Sequence, residues 1–445
     1  MAHFVTRRID AGGVFDLLSL HALNRSRYPH LLQSAAAGTQ GRFDILFGFP
    51  GRTLAAHRGD APGFLRQLED WWRSDTVGRE IDTGLPFAGG WFLYLGYELA
   101  AEIEPSLRLP ASGEDLPIAF ATRIPAAVIL DRENGALTLV AEAVEYLDAM
   151  EADIQDARAI RLDERRVRVE AVDEEPQDRY LAAVERIQGY IRDGDVFQVN
   201  LSRQWRCQLT GPASDAELYA CLRRHNPGPF NGLATWGATA ICSSSPERLV
   251  RVRGDCVETR PIAGTRPRGS ALGPDRALSA ELLAHPKERA EHVMLIDLER
   301  NDLGRIAVPG TVRVNELMAL ESYATVHHIV SNVQARRRHG LSPVDVIRAV
   351  FPGGTITGCP KVRCMEIIAE LERTGRGPYT GSMGYLDRNG DLDLNILIRS
   401  IVRTGDRLSF RAGAGIVSDS QADAELAETR AKARGMLGAL GVTVA

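Results

Sequence analysis

Four glutamates fall into two pairs with one spacing. Glu288 and Glu291 lie in HPKERAEHVMLIDLERNDLGR, and Glu425 and Glu428 lie near the C-terminus. Residues three apart share a helix face, so each pair points two carboxylates the same way, and Lys432 continues the second face one turn on. Four carboxylates on two helices can hold a hard divalent cation such as Mg²⁺, which takes oxygen ligands and keeps waters or substrate oxygens. The same spacing also describes a solvated helix face, on which Glu428 and Lys432 form a surface pair. In DLDLNILIRSIV, strand alternation places Arg399 on one face with Leu397 and Ile401. A guanidinium among apolar neighbours needs an anion, either a substrate carboxylate or a buried carboxylate of the protein.

Two glycine segments invite phosphate readings that their spacing does not support. In GGTITGCPK, which contains Thr355, Cys359-Pro360 separates the glycine from the lysine and removes the phosphate-loop geometry. The segment Gly413-Ala414-Gly415 has two glycines but lacks the third of a dinucleotide fingerprint. It is expected as a bend after a strand, or as a nest of backbone N–H groups suited to a carboxylate. His327 and His328 are expected on opposite faces of a strand, where one can act as a general acid near neutral pH or be structural. Gln198 shares a face with Asn200 and Ser202, a polar strip unable to deprotonate water and expected to face solvent, with Phe197, Val199 and Leu201 inward.

These residues need rigid elements to place them. Asn134-Gly135, Gly254-Asp255, Asn389-Gly390 and Gly405-Asp406 each separate apolar runs and predict hairpins. Hairpins make antiparallel pairs, which excludes a doubly wound parallel sheet. Helical spacing of Leu181, Val184, Ile187 and Ile191 predicts a helix over 178–193. Ser342-Pro343-Val344-Asp345 and Pro360 predict two further helix starts, and Ser420 and Asp423 are expected to cap a last helix from 421 to about 440. Helices mixed with antiparallel hairpins read as α+β. The charged stretch 163–178 marks a seam between residues 1–165, an N-terminal region, and 166–445, a catalytic region.

Composition narrows the partners. Of 445 residues, 53 are Lys or Arg and 58 are Asp or Glu, so the formal net charge of −5 offers no basic field for nucleic acid. The run Arg336-Arg337-Arg338-His339 reads as a solvated element end. Apolar stretches fall far short of the roughly 20 residues of a membrane helix, and the N-terminus lacks a signal-peptide core. Six cysteines without a CxxC pair read as reduced thiols in a cytoplasmic protein.

Together these signals describe a site for a small anion bound with a divalent metal. At this point the chain resembles the chorismate-utilising enzymes over nearly its whole length, through SSSPERLVR, RPIAGTRPRG, AEHVMLIDLERNDLGR, FPGGTITGCPKVR, GSMGYLD and AGAGIVSDS. The resemblance implies two facing, mainly antiparallel sheets flanked by helices, with the site in a cleft. It implies Mg²⁺ carboxylates at Glu288, Glu291, Glu425 and Glu428, and a histidine beside the departing C4 hydroxyl at His328. It implies substrate-holding groups at Tyr385, Arg399, Gly413, Ala414, Gly415 and Lys432, and a catalytic segment that includes Thr355. Water-using relatives carry a lysine where Gln198 stands, so glutamine implies an ammonia user. Blocks such as FQVNLS and NPGPF resemble the aminodeoxychorismate synthase branch, a transferase of folate synthesis. Ala263 in PIAGT resembles the anthranilate synthase branch and excludes a covalent lysine there. The resemblance further implies a separate glutamine amidotransferase subunit as ammonia source, and Ser34 falls in a segment that lines a tryptophan pocket in some members. A silent paralogue that only binds chorismate is the non-enzyme alternative, against which the intact carboxylates and His328 stand.

Overall fold

The computed structural model describes residues 4–10, 15–34, 41–78, 84–267, 286–322 and 326–442. Every strand pair among them is antiparallel, and they form one sheet of twelve strands and one of ten. The expected hairpins form: strands Ala126–Asp131 and Ala136–Ala141 meet through Asp131 and Ala136, and strands Arg248–Arg253 and Cys256–Thr259 through Arg253 and Cys256. At the tips, Gly135 and Gly254 take φ of 70° and 63°, which a side chain would resist.

Three apolar layers hold the two sheets. Phe47, Phe92, Phe120, Ile129, Ile241 and Met383 come from both sheets and form the inner layer between them. Helices Leu18–Leu23, Val144–Ala157, Asp215–His225 and Ala422–Ala439 pack on the outside of the larger sheet. Helices Phe64–Asp75 and Pro343–Val350 cover the smaller one. The architecture is therefore the expected α+β sandwich. The helices are apolar on one stripe and the sheets on both faces, so stacking is what removes these surfaces from water.

The seam expected at 163–178 does not divide the molecule into two cores. Strand His30–Gln33 pairs with Phe230–Trp236 in one sheet, and Gly90–Leu95 pairs with Ser382–Asp387 in the other. Regions 1–165 and 166–445 thus contribute neighbouring strands to both sheets.

Helix Gln177–Arg192 buries Tyr180, Ala183, Val184 and Ile187, with Leu181 and Ile191 partly covered. The Ser342 capping box with Asp345 forms as expected, with Pro343 in the first turn. The last helix starts differently. Its N-cap is Gln421 without a side-chain cap, because the Ser420 hydroxyl donates to Glu425 Oε1 at 2.6 Å.

Candidate functional site

The centre of the site is the pairing of strands Gln198–Gln208 and Arg407–Ile416. Asn200 lies opposite Gly415 and Ser202 opposite Gly413. The segment 413–415 is thus strand, not a bend after one, and its glycines serve clearance. A Cβ on Gly415 would stand 2.2 Å from Gln198 Nε2 and 3.5 Å from Glu291 Oε1. One on Gly413 would stand 2.8 Å from the Tyr379 hydroxyl and 3.0 Å from Asn200 Oδ1. Only glycine leaves room for these side chains over the strand.

The polar strip expected at the surface is buried. Gln198, Asn200 and Ser202 are 3%, 9% and 4% exposed, whereas Phe197, expected inside, is 69% exposed. Glu291 of helix Pro286–Gly304 and Glu372 of helix Lys361–Glu372 reach over the strip, which periodicity alone does not reveal. Gln198 Nε2 donates to Glu291 Oε1 at 2.9 Å, and Ser202 Oγ donates to Glu372 Oε1 at 2.8 Å.

Arg399 is not on a strand face. Strand Leu392–Asn395 belongs to the smaller sheet and strand Ser400–Thr404 to the larger, so residues 396–399 carry the chain from one to the other. Arg399 sits at that crossing with φ of 53°. Its Nη1 donates to the neutral Asn226 Oδ1 at 3.2 Å, and burial pushes the guanidinium pKa down with no opposing carboxylate among the described residues. Of the two anions the sequence left open, the protein's own carboxylate is therefore absent among the described residues. A half-buried, desolvated cation in this state is prepared for an external carboxylate.

The predicted carboxylates flank the strand pair. Glu291 reaches it from helix Pro286–Gly304, while the side chain of Glu288 lies outside the described residues. Glu425 and Glu428 come from helix Ala422–Ala439. Lys432 Nζ bridges Glu428 Oε1 at 2.7 Å and the Gly413 carbonyl at 2.9 Å. No three acidic, histidine or cysteine side chains converge as a metal centre among the described residues. The donors themselves fit Mg²⁺, being carboxylate oxygens beside a strand that glycine keeps open. Glu291, Glu425 and Glu428 nevertheless hold Gln198, Ser420 and Lys432, contacts that binding a cation would have to exchange.

Proton-carrying groups lie along the same cleft. His328 is 3% exposed in strand Val326–Arg336, and burial, with Arg399 nearby, pushes it down to about 3. It is neutral at physiological pH, which argues against an imidazolium acid in this state. Glu247 is the residue sequence reasoning missed. It is 5% exposed, accepts the Thr355 hydroxyl at 2.9 Å, and burial beside Glu299 pushes it up to about 8. At neutral pH it keeps its proton. Its signal was available in SSSPERLVR, where an acid follows a proline between two strand runs. Ala263 is buried in strand Ile262–Pro267, opposite Ile329 and beside a register shift.

Tyr385 lies elsewhere. Its hydroxyl accepts from Arg253 Nη2 at 3.2 Å, and it lines a cavity between the sheets with Ser34, Asn231, Met383 and Asn395. The tyrosine beside Gly413 is Tyr379. Two tyrosines six residues apart, one within a turn and one within a strand, are indistinguishable by type.

A family model described as chorismate binding enzyme matches residues 28–438. The chain is 41% identical over 451 residues to aminodeoxychorismate synthase component 1 of Bacillus subtilis, covering 95% of this chain and 94% of that one. It is 40% identical over 420 residues to an anthranilate synthase component I-like protein of Synechocystis, covering 93% and 84%. The crystal structure of anthranilate synthase component I from Streptococcus pneumoniae superposes with a TM-score of 0.80 at 29% identity, covering 97% and 99%.

Proposed function

We propose, from the premise that the chain belongs to the chorismate-binding enzymes, that it aminates chorismate to 4-amino-4-deoxychorismate, with Mg²⁺ and ammonia from a separate glutamine amidotransferase chain. The observation that carries amination is Gln198. Its amide is held by Glu291 and cannot take a proton from water, whereas ammonia attacks without prior deprotonation. In the overall reaction a C–N bond forms, the C4–O bond breaks, and the hydroxyl leaves as water with a proton from the nitrogen. The similarity to the Bacillus subtilis aminodeoxychorismate synthase supports the 4-amino product.

Arg399 pairs with a substrate carboxylate, and Lys432 with the 413–415 backbone lines the place of the other. Glu247, protonated at neutral pH and steadied by Thr355, serves the departing hydroxyl as proton donor, with neutral His328 as a hydrogen-bonding neighbour. Glu291, Glu425 and Glu428 would hold the Mg²⁺, which when bound neutralises a carboxylate and eases loss of the hydroxyl.

A second reading, formation of anthranilate with release of pyruvate, is favoured by one observation. Ala263 puts a methyl group where the covalent route to a 4-amino product needs an amine. The deciding experiment supplies the purified chain with chorismate, Mg²⁺ and an ammonium salt and identifies the product chromatographically. Aminodeoxychorismate supports the first reading, and anthranilate would replace it with the second. Chorismate consumption is expected to vanish in Glu291→Ala and Glu428→Ala and on chelation. Consumption unchanged in both variants would overturn the metal assignment.

A further inference from the structure

The strand Gln198–Gln208 carries two buried acceptors that nothing among the described residues satisfies. Gln198 Oε1 and Asn200 Oδ1 have no hydrogen-bond partner, although their residues are only 3% and 9% exposed. The orientation of Gln198 is settled by chemistry. A carboxylate accepts only, so the Nε2 group must face Glu291, and the carbonyl oxygen is left on the other side. An unpaired buried acceptor carries its full desolvation cost, which a scaffold has reason to avoid once and more reason to avoid twice on one strand face.

The two acceptors do not match chorismate. That molecule brings two carboxylates and an ether oxygen, all acceptors, and its one hydroxyl can satisfy a single acceptor. A second donor must come from another molecule. Residues 198 and 200 are about 6.6 Å apart along a strand, and both side chains stand over the same face. Ammonia, with three N–H groups and one lone pair, can donate to both carbonyl oxygens and still present its lone pair to the substrate.

We propose that the Asn200 carboxamide, together with Gln198, forms a two-acceptor seat for ammonia, which makes Asn200 an ammonia-binding residue. This rests on the amination reading above. Gln198 then does more than abstain from deprotonating water. The pair holds ammonia by two of its N–H groups, and Asn200 supplies one of the two acceptors. Tyr379, whose hydroxyl closes on the same side of Gly413 as Asn200 Oδ1, bounds the seat.

The test is steady-state kinetics of the full chain with ammonium chloride, with ammonium and chorismate varied separately, for wild type, Asn200→Val and Asn200→Asp. Valine removes the acceptor at similar volume, and aspartate keeps an acceptor in the same place. In Asn200→Val the KM for ammonium is expected to rise about tenfold, equal to about 1.4 kcal/mol, while the KM for chorismate stays within about twofold. Asn200→Asp is expected to keep the ammonium KM within about threefold. A rise in the chorismate KM alone would make Asn200 a substrate contact, and unchanged constants would deny it any part; either overturns the assignment. Should Asn200→Val fail to fold, an ammonium KM raised as far in Asn200→Asp as in Asn200→Ser would overturn it too. A wild type that aminates while the variants behave this way sinks only the seat. A wild type that makes no aminated product from ammonium removes the reaction and the seat together.

Discussion

Two buried glutamates reach the neighbourhood of one strand pair and are driven in opposite directions. Burial alone would raise the Glu372 carboxyl, but Arg376 and Arg411 hold it below the usual carboxylate range. It accepts from Arg376 Nη2 at 2.6 Å, from Arg411 Nη2 at 2.9 Å and from the Ser202 N–H and hydroxyl. Glu247 accepts from the Thr355 hydroxyl and the Ile262 N–H but has no guanidinium partner, and burial beside Glu299 pushes it up to about 8. The arginines divide the same way. Arg376 donates to a carboxylate, two carbonyls and a hydroxyl, whereas Arg399 has a single neutral partner. The saturated cluster is scaffold. The cluster left with unpaired charge and unpaired acceptors is the site, because a ligand must complete it.

The comparison breaks most visibly at Glu372. Replacing it with alanine leaves two guanidinium groups buried without an anion, and a loss of about 3–5 kcal/mol is expected in urea unfolding. A loss below about 1 kcal/mol would mean that the saturated cluster is not scaffold.

Glu247 tests the other half through pH. A folded pKa raised from 4.5 to about 8 means that the native state binds the proton more tightly than the unfolded chain. Its stabilising contribution is therefore full below about pH 4.5 and is lost as pH climbs to about 8, by an amount on the order of a few kcal/mol. Urea midpoints at about pH 5 and pH 8.5 should diverge more in wild type than in Glu247→Gln, and an equal pH response in both would contradict this.

Arg399→Met sharpens the contrast between the two arginines. Removing a half-buried charge with no carboxylate partner among the described residues should leave the unfolding free energy within about 1 kcal/mol of wild type or raise it. The same change should raise the chorismate KM about 100-fold, the worth of a charged hydrogen bond pair at about 2.7 kcal/mol. Destabilisation with an unchanged KM would assign Arg399 to the scaffold instead.

The smallest expected effect is at Gly415. A methyl group there meets Gln198 Nε2, so Gly415→Ala should lower turnover about tenfold through a displaced Gln198, with melting nearly unchanged. Full turnover would show that the clearance over the strand is dispensable.

Much of the scaffold was legible because its signals are local. A Gly after a polar residue between apolar runs requires a tight turn whatever surrounds it, and the 126–141 and 248–259 hairpins follow. Helix spacing placed Val184 and Ile187 inward for the same reason. The site was legible in part. Glutamates three apart on a helix must share a face, but whether two such faces approach one strand depends on the packing of elements more than a hundred residues apart.

What the sequence by itself determined was therefore the inventory: antiparallel strands, capped helices, paired carboxylates, an amide where a base would be needed, and an alanine at position 263. Tertiary structure decided exposure and partnership. Alternation put Arg399 on a strand face and Gln198 in solvent, whereas the crossing between sheets turned the first and the covering helices buried the second. Tyr379 and Tyr385 became different residues only when one reached Gly413 and the other Arg253. Glu247 and Glu372 carry the same carboxyl group, and only their neighbours make one keep its proton and the other its charge. The physical reason is that side-chain type and period are properties of the chain, while desolvation and pairing belong to the assembled neighbourhood.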